Sequence, residues 1–249
     1  MRFVVRGLNP AAGYRHFVFD LDGTLVDSGA DLASAVNETL RGLGVPELPE
    51  AQVVDFVGHG MRRLLQSSLA AAAPGRVAEL IGPAIDLFRE AYAQGLLDRT
   101  RLHDGIMPLL SELRRRGACL SLLTNKPRAF TEAILCGLEV EACFSDMVCG
   151  DDVAAPKPDP QGLQALVERS GVPAGLTCLV GDSAVDVETA RAAGIASCAV
   201  TWGLRHAGEL RASRPDHLVD DAARIADLPV VVREGGASGG APPVPAPVT

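Results

Sequence analysis

The sequence predicts an α/β fold: an open parallel sheet with a small all-helical domain inserted behind its first strand. Three observations predict it. Short apolar runs recur along the chain, each closing on a polar or acidic residue that leads into a helical pattern. The runs are continuous rather than alternating, which suits strands buried on both faces of a parallel sheet. One interval of almost a hundred residues, between Asp20 and Cys119, breaks this rhythm and carries no convincing strand.

The first run, Phe17-Val18-Phe19, ends at Asp20. In the interval that follows, Leu32, Val36, Leu40 and Leu43 recur at helical spacing. Segments 49–57, 61–73 and 76–94 also read as helices, the last interrupted at Gly82-Pro83 because proline breaks a helix interior. The helical domain is placed at 28–99. Strand–helix alternation then resumes. Cys119-Leu120-Ser121-Leu122-Leu123 ends at Thr124-Asn125, Met147-Val148-Cys149 at Gly150-Asp151-Asp152, and Cys178-Leu179-Val180 at Gly181-Asp182. Ser197-Cys198-Ala199-Val200 and His217-Leu218-Val219 complete the set, with helical stretches at 106–116, 127–135, 161–170 and 185–193. Such alternation implies right-handed crossovers and a core built from 14–27 and 100–233. An insertion after the first strand sits over the sheet's carboxyl edge, where open α/β proteins bind ligands.

Composition narrows the function classes. With 249 residues, 47% hydrophobic and 22% charged, the chain can bury a sizeable core and is not wholly disordered. No stretch approaches the roughly 18 apolar residues of a membrane span. Residues 1–13 form a leader without the apolar block and cleavage site of a signal peptide, so a cytoplasmic location and no membrane partner are expected. The net charge of −8 disfavours nucleic acid as a partner. The six cysteines show no C-x-x-C spacing, and Cys119, Cys149, Cys178 and Cys198 are expected as buried free thiols. The end, 234–249, is rich in glycine and proline and is expected to be a disordered tail. Of the 23 basic residues only Lys126 and Lys157 are lysine.

The chemistry gathers at the strand ends. Asp20 and Asp22 lie in D-x-D-G-T, and Asp182 and Asp186 in G-D-S-x-x-D. If the first and fourth runs are neighbours, four carboxylates converge at one mouth and need a cation. An all-oxygen set without His or Cys favours Mg²⁺ over Zn²⁺; the bland alternative is a set of helix N-caps. Thr124, Asn125 and a helix N-terminus make a phosphate cradle, and Lys157, stiffened by flanking prolines, supplies the point charge that a dianion needs.

These segments resemble the four motifs of the haloacid dehalogenase superfamily, in its order, with the helical insertion in the place of its cap. Within it the chain is similar to the bacterial phosphoglycolate phosphatase branch, through Thr124-Asn125-Lys126-Pro127, Val57-Gly58-His59-Gly60 with Leu64, and Ala190-Arg191-Ala192-Ala193-Gly194. The similarity spans about 17–228. It implies a Rossmann-like core with an all-α cap and Mg²⁺-dependent hydrolysis of a small phosphorylated metabolite. Asp20 would be the nucleophile that forms an aspartyl-phosphate, and Asp22 the acid and base. Mg²⁺ would be held by the Asp20 and Asp182 carboxylates and the Asp22 backbone carbonyl. Thr124, Asn125 and Lys157 would stabilise the phosphoryl group, with Asp186 supporting the metal's ligands or water. Asp22 also separates the chain from the metal-free dehalogenases, which lack an acid there.

The cap is expected to read the substrate beyond its phosphate, through a cation such as His59, Arg62 or Arg63; a solvated helix face is the alternative for the arginines. The implied substrate is 2-phosphoglycolate. A sugar or amino-sugar phosphate, pyrophosphate, and a β-phosphoglucomutase-like isomerisation remain alternatives. A carbon–phosphorus hydrolase using a cap lysine is disfavoured because 28–99 holds no lysine. Monomer and homodimer are both open.

Overall fold

A computed structural model of the protein describes residues 13–231. The expected leader (Gly13 apart) and the expected tail lie outside the described residues. Six strands form a parallel sheet in the order β5-β4-β1-β6-β7-β8. They are β1 (His16–Phe19), β4 (Cys119–Leu123), β5 (Asp146–Val148), β6 (Thr177–Gly181), β7 (Ala196–Val200) and β8 (His217–Val219). Every residue of β1, β6 and β7 is buried, as the unbroken apolar runs require of strands covered on both faces. Helices α5 (Ile106–Arg115), α6 (Arg128–Gly137), α7 (Gln161–Ser170) and α8 (Ala184–Ala193) connect them. A further helix, α9 (Ala207–Ser213), follows β7; its seven residues are too few for a periodic signal to stand out in the sequence.

Between β1 and α5 lie four helices: α1 (Gly29–Gly42), α2 (Glu50–Val54), α3 (Met61–Ala72) and α4 (Val77–Gly95). Two expectations fail in this interval. It does contain strands, β2 (Val26–Asp27) and β3 (Arg101–Leu102), which pair antiparallel where the chain leaves and re-enters the core. At two residues each they are too short for a period. And α4 runs unbroken through Pro83. Gly82 and Pro83 face solvent while Leu80, Ala84, Phe88, Ala91 and Tyr92 are buried, so water can satisfy the carbonyl that proline leaves free. The buried stripe outweighs the roughly 3 kcal/mol that an interior proline costs.

One apolar cluster runs from Phe17 and Phe19 in the sheet to Leu65, Phe88 and Tyr92 in the helical insertion. The insertion thus packs on the carboxyl edge of the sheet. All six cysteines are free; Cys149, Cys178 and Cys198 are buried, while Cys119 is only half-buried because it opens its strand.

Candidate active site

Registry brings the motifs together. Phe19 pairs with Val180 of β6 on one side and Leu122 of β4 on the other, so Asp20, Asp182 and Thr124 emerge together at the carboxyl ends of the three central strands. The Asp20 N–H donates to the Val180 carbonyl at 2.9 Å, which extends the ladder one residue beyond β1. The chain then turns sharply, with the Gly23 N–H on the Val26 carbonyl. Gly23 is required here twice over. Its φ is +82°, and a Cβ would stand 2.2 Å from the Asp182 carboxylate.

Three buried carboxylates, Asp20, Asp182 and Asp186, offer oxygens within 4.8 Å of one another. The buried Lys157 ammonium lies 2.9 Å from Asp20 and 2.7 Å from Asp186. Asp186 also caps α8 by accepting from the Ser183 N–H and hydroxyl, so both its oxygens are engaged. Asp182 accepts from the Leu204 N–H at 2.7 Å. Burial raises the Asp20 carboxyl to about 6, with Lys157 opposing and Asp186 reinforcing. Burial, then the charges of Asp186 and Asp20, push Asp182 up to about 8. One lysine does not neutralise this cluster. A hard divalent cation with oxygen ligands fits the donor set, which contains no nitrogen or sulfur.

Asp22 points elsewhere. Its carboxylate is held by Lys126 Nζ at 2.7 and 2.9 Å and by the Ser28 hydroxyl at 2.5 Å. Lys126 is itself buried, 4.8 Å above the ring centre of Tyr92 from α4. Burial alone would lower both lysines, but the neighbouring carboxylates outweigh it and hold Lys126 and Lys157 above the ordinary range. Neither Tyr92 nor the Lys126–Asp22 pair is legible in the sequence as part of the site. Tyr92 carries the signal of any buried helix residue, and Lys126 is marked by its rarity and by its place after Thr124-Asn125, neither of which names its partner.

Thr124 and Asn125 follow β4 as expected, but Asn125 uses its side-chain N–H groups structurally. Both go to carbonyls, of Gly58 in the insertion and of Lys157, each at 3.0 Å. Neither side-chain N–H is therefore free for an anion, and the buried Oδ1 has no hydrogen-bond partner among the described residues.

Two cavities adjoin at Asn125. The inner one, about 40 Å³, lies between the sheet edge and the insertion. Asp20, Asp22, Thr124, Asn125 and Lys126 form its polar wall, while Leu64, Phe88, Tyr92 and Phe130 are among its apolar walls. The outer cleft, about 520 Å³, is lined by His59, Arg62, Arg63, Arg89 and Lys157 among others. The structure thus places the expected substrate readers His59 and Arg62 at the exposed cleft and not in the inner cavity.

This fold, with an acid cluster and lysine at the carboxyl edge, defines a hydrolase class. The chain belongs to the haloacid dehalogenase-like hydrolase family, whose model matches residues 17–200. It is 36% identical over 216 residues to a phosphoglycolate phosphatase of Vibrio cholerae, covering 86% of this chain and 96% of the relative. A phosphoglycolate phosphatase of Pseudomonas syringae pv. tomato is also 36% identical, over 84% of this chain and 77% of its own length. The crystal structure of a predicted phosphoglycolate phosphatase from Haemophilus somnus 129pt superposes with a TM-score of 0.80 at 30% identity. It covers 88% of this chain and 98% of that one. No described helix is long and apolar enough to cross a membrane.

Proposed function

We propose that the protein is a Mg²⁺-dependent phosphatase that hydrolyses 2-phosphoglycolate to glycolate and phosphate through a phosphoenzyme on Asp20, with residues 28–99 acting as its cap. The observation that carries this reading is the division of labour between two carboxylates of one turn. Asp20 sits in the acid cluster beside Lys157, whereas Asp22 faces the inner cavity and stands apart from that cluster.

In this reading a phosphomonoester enters through the cationic cleft, and its phosphate settles against Lys157, the Thr124 hydroxyl and the Asn125 backbone N–H. Mg²⁺, held by the Asp20 and Asp182 carboxylates and the Asp22 carbonyl, would offset the charge that separates a carboxylate nucleophile from a dianion. An Asp20 oxygen attacks phosphorus as the ester P–O bond breaks, and Asp22 delivers a proton to the departing alkoxide. Asp22 then takes a proton from water, whose oxygen attacks the phosphorus, and the Asp20–phosphate bond breaks to release phosphate. Asp186 orients Lys157, and Ser28 and Lys126 hold Asp22 toward the cavity.

The small inner cavity favours a short leaving group. At about 40 Å³ it is much smaller than the adjoining cleft of about 520 Å³. The test is phosphate release across small phosphometabolites ranked by kcat/KM, alongside Asp20→Asn. We expect 2-phosphoglycolate to lead and the variant to lose on the order of 10³-fold or more in kcat while folding normally. Another ester far ahead of 2-phosphoglycolate overturns the substrate; substantial turnover by Asp20→Asn overturns the nucleophile.

A further inference from the structure

Among the described residues the inner cavity is lined by one cation, Lys126, by the Tyr92 hydroxyl and by Asn125, whose Oδ1 has no partner. Lys126 Nζ uses two of its three N–H groups on the two Asp22 oxygens, at 2.7 and 2.9 Å. An ammonium has three donors, so one remains. The Tyr92 hydroxyl is buried beside it, where its oxygen can take that N–H, while its own O–H has no acceptor among the described residues. Burial raises that phenol to about 12, so it stays a donor at neutral pH. Buried polar atoms left without partners cost stability, and a set of them around one cavity marks the place of a ligand's polar group.

We infer that Lys126 and Tyr92 form the subsite that recognises a carboxylate on the substrate's leaving group. This rests on the phosphatase reading above and assigns its substrate selectivity to the core and α4. The argument is one of distance. Asp22 must touch the ester oxygen to protonate it, and the same carboxylate holds Lys126. Two hydrogen-bond partners of one carboxylate lie roughly 5 Å apart. A carboxylate one carbon removed from the ester oxygen spans that gap and still reaches Nζ at hydrogen-bond distance. A leaving group with a longer chain would carry its carboxylate past Nζ and have to fit against the cavity's apolar walls. An uncharged one would leave the Tyr92 O–H buried without an acceptor and the Lys126 charge without a second counter-charge. The exposed Arg62 and His59, out in the wide cleft, would then attract anions without measuring them.

The experiment compares 2-phosphoglycolate with ethyl phosphate, which replaces the carboxylate by a methyl group. The readout is the ratio of their kcat/KM values in the wild type, Lys126→Met and Tyr92→Phe. Because both esters need Asp22, any damage to proton transfer cancels in the ratio. Lys126→Met should lower it by about 10- to 100-fold, the usual weight of a charged hydrogen bond, and Tyr92→Phe by several-fold. As a second measurement, competitive inhibition of ethyl phosphate hydrolysis by glycolate should weaken in both variants. A wild-type preference for 2-phosphoglycolate that survives unchanged in folded Lys126→Met and Tyr92→Phe overturns the subsite alone. A wild type that shows no such preference overturns the substrate reading and the subsite with it.

Discussion

Arg205 donates from Nη1 to the Asp55 carbonyl at 2.7 Å and from Nη2 to the Val57 carbonyl. A residue of the loop after β7 thereby grips the loop that joins α2 to α3, about 150 residues earlier. The next carbonyl, of Gly58, accepts from Asn125 beside the inner cavity. Loop 55–60 is thus fastened to the core at two points, one of them within the site. Arg205→Ala should leave global stability within about 1 kcal/mol, since the guanidinium is only half-buried and water can replace it at the two carbonyls. Amide exchange in 55–60 should accelerate and KM should rise several-fold, because the loop must be ordered anew for each substrate. Unchanged exchange in that loop would show that Arg205 does not hold it.

The acid cluster predicts how the protein responds to metal. Asp20, Asp182 and Asp186 share one buried space with Lys157 as their only direct ammonium partner among the described residues. A cation that binds the folded state alone stabilises it by mass action. Mg²⁺ at millimolar concentration should raise the Tm of chelator-treated protein, and Asp182→Asn should abolish most of that rise while losing activity. An equal rise in Asp182→Asn would place the metal elsewhere.

How much of this was written in the chain follows from what each signal depends on. Asp20, Asp182 and Thr124 were legible because each ends an unbroken apolar run, and a buried parallel strand delivers the next residue to the carboxyl edge. Lys157 stood out by the prolines around it. Tyr92 did not, because a tyrosine on the buried stripe of α4 has the same period whether it faces a core or a cavity. The two N–H groups of Asn125 could not be assigned either, since their acceptors are main-chain carbonyls of Gly58 and Lys157. Pro83 misled for a related reason: whether proline breaks a helix depends on which side of it meets water.

His16, at the start of β1, is fully buried, with Nε2 2.9 Å from the Ser121 hydroxyl. Burial lowers its pKa from 6.5 to about 4. In the folded state the ring therefore stays neutral between those values, while the unfolded chain takes up a proton. The contribution of this group is fully present above pH 6.5 and is lost as pH falls through 4, amounting to at most about 3 kcal/mol. Urea unfolding from pH 7 to 4.5 should show wild type losing more stability than His16→Gln. Parallel curves for the two proteins would remove His16 as the cause.

Asp31, in the first turn of α1, is buried and binds the strand of chain that returns from the insertion to the core. It accepts from the Arg99 N–H, from the Thr100 N–H at 2.8 Å and from the Thr100 hydroxyl at 2.8 Å. Both Thr100 groups are out of contact with water. Removing their acceptor leaves two buried donors unsatisfied, each at roughly 1–3 kcal/mol. Asp31→Ala should therefore cost about 2–5 kcal/mol, whereas Asp31→Asn, which keeps one acceptor oxygen, should cost about half as much. Chemical denaturation of the two variants checks the order. The outgoing and returning crossings also pair through β2 and β3, so the loosened Asp31→Ala should show faster amide exchange at Val26 and Leu102 before global unfolding. Equal stabilities for Ala and Asn at this position would mean that Asp31 only fills space.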